Sequence, residues 1–423
     1  MPGSRGHKED SMKRKQVFEG LKVADFCWMG AGSQVGREFA EHGATVVRVE
    51  SHRVPDGMRT FAPYYEFKPG LDRTMFGVEY HTCKYSMSLD LSKPKGLEVA
   101  RRLVAWADIV GNSFQPGQMA RWGLDYEICK KIKPEIIHYS TCLQGQYGPH
   151  AMLSAYGAAT AAMGGFSEVT GWPDRDPNYM SNNYTDYIVP WYLIISLIGA
   201  LLHRQKTGEG MCLDQSQFEG GLQFMGSAIL DCAVNGRVAA RAGNRDPYIA
   251  PHGAYPCFGN DRWVAIAVRS DEEWRALCRA MGDPEWTEDP RFATFLGRKE
   301  NEDELESLVA EWTKDYPDRE LMALLQAKGI PAGVVQTCED LVEVDPQLKQ
   351  RQRFRRLPHK VMGLRAWNAP AYMLSKTPNH IWKAGATLGE DNEFVYEELL
   401  GYSDEDVANF LIEGVITTEA DVP

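Results

Sequence analysis

Asp186 is a lone carboxylate set among Asn182, Asn183, Tyr184 and Tyr187, and residues 187–202 after it carry no charge. An acid at the mouth of an apolar helix is costly to desolvate. Desolvation raises its pKa and makes the carboxylate more reactive. Two chemistries compete for it: a helix cap, common for Asp, and a nucleophile. On position alone the cap is the commoner outcome. The run closes with His203, Arg204 and Lys206, then Gly208 and Gly210, which read as a helix C-terminus and a turn.

A second candidate is the turn at Gly30, Gly32 and Gly36, with Glu50 twenty residues after the first glycine. That spacing invites a dinucleotide reading with Glu50 as ribose partner. It departs from G-x-G-x-x-G, so it is read as a tight strand-to-helix turn where backbone approaches a ligand. No NAD is expected. The nine cysteines include no C-x-x-C pair, and the ten histidines form no H-x-x-x-H or Cys/His cluster. Reduced thiols, no metal site and a cytoplasmic location are the expectations.

The elements that position Asp186 alternate strand and helix. Residues 21–26, 45–50, 85–91, 108–112 and 135–140 read as short apolar strands. Between them lie a helix ending near His42, one started by Ser92 and Pro94, and a short one capped by Asp125. This alternation predicts a mostly parallel sheet with helices on its faces. A helix is expected over about 217–233. Past it the pattern shifts to a hairpin across Gly259-Asn260-Asp261, helices near 271–281, 302–313 and 318–328, and an apolar piece at 330–335. A charged connector covers 345–354. Two helices end the tail, the last opened by a Ser403/Asp406 capping box.

The resulting division is a disordered leader over 1–18, the first part of a large domain over 19–225, a linker with a small α+β domain over 226–345, and the returning part of the large domain over 346–423. A length of 423 residues allows two domains. The net charge of −12 argues against nucleic acid or an anionic membrane as partner. The apolar run is short of the ~20 residues of a membrane span, so a buried core helix is expected.

In order and spacing, several pieces together resemble one family. They are GLKVADF, HGATVVRVE, CKYSMSLDLSKPKG, NSFQPGQMARWGLDYE, QGQYGP, AYGAATAAMGG, TDY at 185–187, LIGALLHRQKTGEG, EWTEDPRF, GIPAGVV and LGYSDEDV. The chain looks like a class III CoA-transferase, the group of formyl-CoA, carnitine and benzylsuccinate CoA-transferases, from about residue 19 to 413. The resemblance implies an α/β fold: a Rossmann-like large domain built from both chain ends, an inserted smaller α+β domain, and an interlocked dimer. It implies a transferase that moves CoA from an acyl-CoA to a carboxylic acid, with coenzyme A as its only cofactor.

In that family the nucleophile matches Asp186, which would pass through an aspartyl–acyl anhydride and an aspartyl-CoA thioester. Ordinary Asp is ionised at neutral pH and would need no general base. For CoA the resemblance implies Lys84 near the phosphates, Ser113, Phe114 and Gln115 on a contact loop, and Arg121 just beyond it. Backbone N–H groups of Met29, Gly30 and Ala31 would meet the thioester oxygen, and Tyr156 would flank the pantetheine arm.

The chain departs from formyl-CoA transferase at Gly30, Ser51 and Gly157, where that enzyme has glutamine, arginine and glutamate; His52 and Arg53 offer charge next to Ser51. Gly243, Pro251 and Gly253 stand where a four-glycine flap would be. Tyr184, Tyr187 and Trp191 suggest a larger, aromatic acceptor of benzylsuccinate type, with succinyl-CoA as donor. The alternatives are a 2-methylacyl-CoA racemase, which would need a His-Asp pair where this chain has Tyr156-Gly157, and a subunit of a heteromer. Homodimer and heteromer both remain open.

Overall fold

The computed structural model describes residues 15–178 and 183–417. Most of the expected leader, and Asn182, lie outside them. The chain divides into two compact units. The first takes residues 15–166, 183–235 and 350–417; the second takes 167–178 and 236–349. The divisions at 236 and 350 compare with the expected 226 and 346. Nothing in the composition marks the excursion at 167–178.

Six strands form the sheet of the first unit: β1 (Lys22–Phe26), β2 (Thr45–Glu50), β3 (Tyr85–Ser88), β4 (Ile109–Asn112), β5 (Ile137–Cys142) and β6 (Met211–Ser216). All pair in parallel, in the order β3-β2-β1-β4-β5-β6. This is the doubly wound order, with a crevice where the direction of winding reverses beside β1 and β4.

Among the helices are α1 (Ala31–Glu41), α2 (Pro94–Trp106), α3 (Tyr126–Ile132), α4 (Gly157–Met163), α5 (Tyr184–Thr207), α6 (Gln217–Leu222), α7 (Gly226–Asn235), α8 (Asp271–Met281), α9 (Glu302–Thr313), α10 (Asp318–Ala327) and α11 (Asp404–Ile412). Strand residues alternate between two cores, as the pleat requires. Val23, Val46, Ile109 and Ile137 pack with Val35 and Phe39 of α1 and Leu193 and Leu197 of α5. Ala24, Val47, Met87 and Val110 pack with Val99 and Leu103 of α2 and Phe410 of α11. The tail thus returns to the first sheet.

Around the sheet, β6, the helix over 217–233 and the start of α2 differ from the sequence reading. β6 was not expected: it is an edge strand paired only with β5, and its polar Asp214, Gln215 and Ser216 hide the strand pattern. The helix expected over 217–233 is broken into α6, a 3-10 turn at Gln223–Met225 and α7, where Gly220, Gly221 and Gly226 lower helix propensity. Ser92 does not cap α2; its hydroxyl bonds Asp90 at 2.6 Å and Lys93 takes the cap position. Asp125 does cap α3, accepting from Glu127 and Ile128 N–H, and the Ser403/Asp406 capping box is formed.

The second unit pairs β7 (His252–Pro256), β8 (Trp263–Ala267) and β9 (Ala332–Val334) antiparallel, with the first two joined across Gly259-Asn260-Asp261. Helices α8 to α10 close a core around Trp274, Leu277, Leu305, Val309 and Leu321.

Helix α5 is not the buried helix expected. At 24 residues it is also longer than the apolar run suggested, long and apolar enough by length and composition to cross a membrane. Pro190, Leu193, Ile194, Leu197 and Ala200 are buried, while Trp191, Ile195, Ile198 and Leu202 form an exposed apolar stripe. Such a face on a helix that is apolar all round calls for a covering surface.

Candidate active site

Asp186 stands in the first turn of α5, which Asn183 opens in the left-handed region at φ 47°. Its N–H bonds the Asn183 carbonyl at 2.8 Å, and no side chain caps this helix end. The cap reading of Asp186 is therefore overturned. Four residues on, Pro190 offers the Asp186 carbonyl no N–H, and the helix steps at Val189.

The carboxylate faces a narrow cleft of about 20 Å³ walled by Phe61, Phe76, Tyr80, Tyr156 and Tyr187, with Met29 and Gly30 at one side. That is room for about one water. Of the aromatics singled out around Asp186 in the sequence, only Tyr187 lines the cleft. Tyr184 packs against Phe166 and Phe224, and Trp191 lines a separate cavity.

Desolvation pushes the Asp186 carboxyl up to about 7, against the pull of a hydrogen bond from the Gly157 N–H and another from the Gln217 side chain. Burial thus shifts this carboxyl toward its neutral form, where an ordinary ionised aspartate was expected. Beside it the Tyr80 phenol, hydrogen-bonded to Tyr187, is held neutral by burial and its neighbours.

Gly157, the first residue of α4, is fitted to this carboxylate. Its carbonyl lies 2.9 Å from Thr160 Oγ1 and 3.1 Å from Thr185 Oγ1, which are 2.7 Å from each other, so two hydroxyl protons serve these three contacts. A Cβ at 157 would stand 2.5 Å from the Asp186 carboxyl carbon. A side chain at 157 would require the Asp186 carboxylate to move.

The turn after β1 holds the next set. Met29 at φ 59° and Gly30 at φ 94° are both left-handed. Met29 N–H is spent on Asp56, at 3.1 and 3.3 Å, which removes it from the N–H groups expected to meet a thioester oxygen. Asp56 is itself buried against Arg48. Ser113 Oγ accepts from Trp28 N–H at 2.8 Å and donates to Trp28 O at 2.7 Å, so it fixes this turn. Ala31 is buried at the start of α1.

Lys84 is neither a solvated charge nor available to a phosphate. It is fully buried, with Nζ 2.7 Å from Asp25 and 2.7 Å from the Ser33 carbonyl. Its expected CoA contact is corrected on that ground: a lysine in a core must be paired, and this one is. Glu50 is likewise buried and bonded to Arg59 at 2.7 Å, which removes the ribose partner of the dinucleotide reading.

Phe114, Gln115 and Arg121 do come together. They line a crevice of about 380 Å³ with Trp28, Ser51, Asp90 and Trp122 at the C-terminal ends of the strands. Phe114 stands edge-on to Trp28 at 5.3 Å and to Trp122 at 5.1 Å. Arg53 reaches Asp90 on the crevice wall at 3.4 Å. The crevice and the Asp186 cleft meet at one turn, for Trp28 lines the first while Met29 and Gly30 line the second.

The sequence reading missed Gln217, Tyr80, Phe61, Phe76 and Asp56. Gln217 follows a legible cap, Ser216 with Glu219, but no linear signal sets it against residue 186. Among the described residues there is no group of three or more side chains suited to hold a metal.

Residues 18–392 match the sequence model of CoA-transferase family III. The chain is 31% identical to succinyl-CoA–D-citramalate CoA-transferase of Chloroflexus aurantiacus, over 96% of this chain and 100% of that one. It is 28% identical to succinate–glutarate CoA-transferase of Agrobacterium fabrum, over 92% and 97%. A CAIB/BAIF family protein from Brucella suis has a similar structure, with a TM-score of 0.83 and 30% identity over 91% of this chain and all of that one. The chain belongs to CoA-transferase family III. It is an enzyme of that class, with acyl-CoA and a carboxylic acid as its substrates.

Proposed function

We propose that the enzyme transfers CoA from succinyl-CoA to a small carboxylic acid through covalent intermediates on Asp186. The observation that carries this reading is the Asp186 carboxylate, half-buried beside Gly157 and Gln217 at a narrow cleft of about 20 Å³ lined by aromatic side chains. The ionised carboxylate attacks the thioester carbon, giving a mixed anhydride and CoA thiolate. The thiolate then attacks the Asp186 carbonyl carbon, giving an aspartyl-CoA thioester and the donor acid. The acceptor carboxylate reverses these steps. Each intermediate is hydrolysable, so a cleft with room for about one water has a direct chemical use.

The crevice at Phe114, Gln115 and Arg121 would hold the nucleotide end of CoA, with aromatic faces for a base and a cation for phosphate. The pantetheine arm would pass the Trp28–Gly30 turn, where Gly30 and Ala31 N–H groups and Tyr156 flank the thioester. The exposed stripe on α5 supports a second chain, a like copy in an interlocked dimer or a related subunit. A cytoplasmic location suits a soluble acyl-CoA substrate. A racemase gains no support, since Gly157 supplies no second base.

The relatives named above act on succinyl-CoA or succinate with citramalate or glutarate, which favours a small dicarboxylic acceptor. A second reading, an aromatic acceptor such as benzylsuccinate, draws on the Phe61, Phe76 and Tyr156 rings. CoA-ester formation from succinyl-CoA with succinate, glutarate, citramalate and benzylsuccinate tests the choice. The main reading expects at least one short dicarboxylate to be used at least tenfold better than benzylsuccinate, by kcat/KM. The reverse order favours the aromatic reading, and no product with any acid contradicts both.

The pH dependence has a defined sign. Only ionised Asp186 is nucleophilic, so kcat/KM is expected to rise about tenfold per unit up to pH ~7 and level off above. A profile flat from pH 5 to 8 would contradict this role for the shifted carboxyl.

A further inference from the structure

Gln217 is a buried amide in search of a use. It opens α6 directly after Ser216, whose hydroxyl caps the helix by accepting from Glu219 N–H at 3.2 Å. Helix α6 packs against both α4 and α5, so the first residue of α6 meets the elements that carry Gly157 and Asp186. Gln217 is 5% exposed. Its amide lies close enough to Asp186 to favour the ionised carboxylate, while Oε1 is buried with no hydrogen-bond partner. A half-satisfied amide in a core is destabilising, and an apolar side chain of similar size would avoid that loss.

The benefit does not come in the first chemical step. Donors on a carboxylate stabilise its ground state and blunt its nucleophilicity. It comes once Asp186 is acylated, because the same donors then face an oxygen on which negative charge builds. We propose that the Gln217 amide and the Gly157 N–H form the oxyanion hole for attack of CoA on the acylated Asp186, with Gln217 the side chain that sets the rate of this step. The inference rests on the covalent reading above. In the step, the CoA sulfur forms a bond to the Asp186 carboxyl carbon, and the Asp186 oxygen takes the negative charge in the tetrahedral intermediate. That intermediate collapses as the bond to the acyl carboxylate breaks. The acid leaves with the electron pair, and no proton moves.

Gln217→Met keeps the volume and removes the donor; Gln217→His keeps an N–H. For Gln217→Met the expected result is a loss of about 10²-fold in kcat with acyl-CoA affinity unchanged, the order found for one oxyanion donor. The low-pH limb should move upward, since Asp186 loses a donor. The phenols of Tyr80, Tyr156 and Tyr187 also face the carboxylate, but they are common to both proteins. With succinyl-CoA and hydroxylamine, corrected for Asp186→Asn, trapping should shift from aspartyl hydroxamate toward succinyl hydroxamate, because the anhydride persists. Gln217→His should recover at least tenfold over Gln217→Met.

Wild-type turnover in Gln217→Met, or equal losses in both variants with unchanged trapping and pH limb, would overturn the proposal. If Gln217→Met does not fold, Gln217→His with wild-type trapping ratios supports it, and a folded, inactive Gln217→His opposes it. Full activity of Asp186→Asn would instead defeat the covalent reading itself.

Discussion

Asp186→Asn is expected to lose at least about 10⁴-fold in CoA transfer while becoming more stable above pH 7. The loss follows from removing the atom to which acyl group and CoA are joined in turn; a missing nucleophile is among the costliest changes an enzyme can suffer. The gain in stability follows from the same burial that tunes the carboxyl to about 7. The folded chain holds this proton more tightly than the unfolded chain, whose Asp titrates near 4. This group therefore costs nothing below pH ~4, and its cost grows as pH rises to about 7. The full shift of roughly three units corresponds to about 4 kcal/mol, and partial exposure lowers it to about 1–3 kcal/mol at pH 8. Denaturant midpoints at pH 4 and pH 8 check the sign: the variant gains over wild type only at the higher pH. A destabilised, active Asp186→Asn would contradict both halves.

Gly157→Ala is expected to reduce turnover by about 10³-fold and to destabilise the protein by about 1–3 kcal/mol. The added methyl would lie 2.5 Å from the Asp186 carboxyl carbon, a contact that cannot be kept. The backbone on the other side has little freedom, because the Gly157 carbonyl is held by Thr160 and Thr185. Overpacking of this kind forces a rotamer or backbone shift, and about 1 Å of misplacement at a reacting group costs rate steeply. Acyl-CoA affinity should change little, since the crevice at Phe114 and Arg121 is formed by other segments. Near-normal kcat in a folded Gly157→Ala would show that Asp186 has other productive positions.

The front of the fold was readable because β1 to β5 are short apolar runs separated by helices with local signals, such as Pro94 at the start of α2 and the Asp125 cap of α3. β6 was not, since an edge strand ending in Asp214, Gln215 and Ser216 carries no uninterrupted apolar run. Asp186 stood out because an uncharged run follows it, although Asn183, not Asp186, opens the helix. Charge misled the reading at Lys84. A lysine looks solvated in one dimension, and its partner Asp25 is 59 residues away in sequence. Backbone donors were equally hidden: whether Met29 N–H is free depends on Asp56, which no motif ties to the turn. The three helix starts that bring Gly157, Asp186 and Gln217 together are set by packing among α4, α5 and α6, and contact between helix ends leaves no periodic trace.

The central claim is that Asp186 carries the acyl group and CoA in turn. Its most direct measurement is mass spectrometry of the protein treated with succinyl-CoA and then hydroxylamine, followed by peptide mapping. The account predicts a hydroxamate on Asp186, absent when succinyl-CoA is omitted and absent in Asp186→Asn. Turnover by a protein in which Asp186 is never labelled, or a label on another carboxylate that survives in Asp186→Asn, would contradict it.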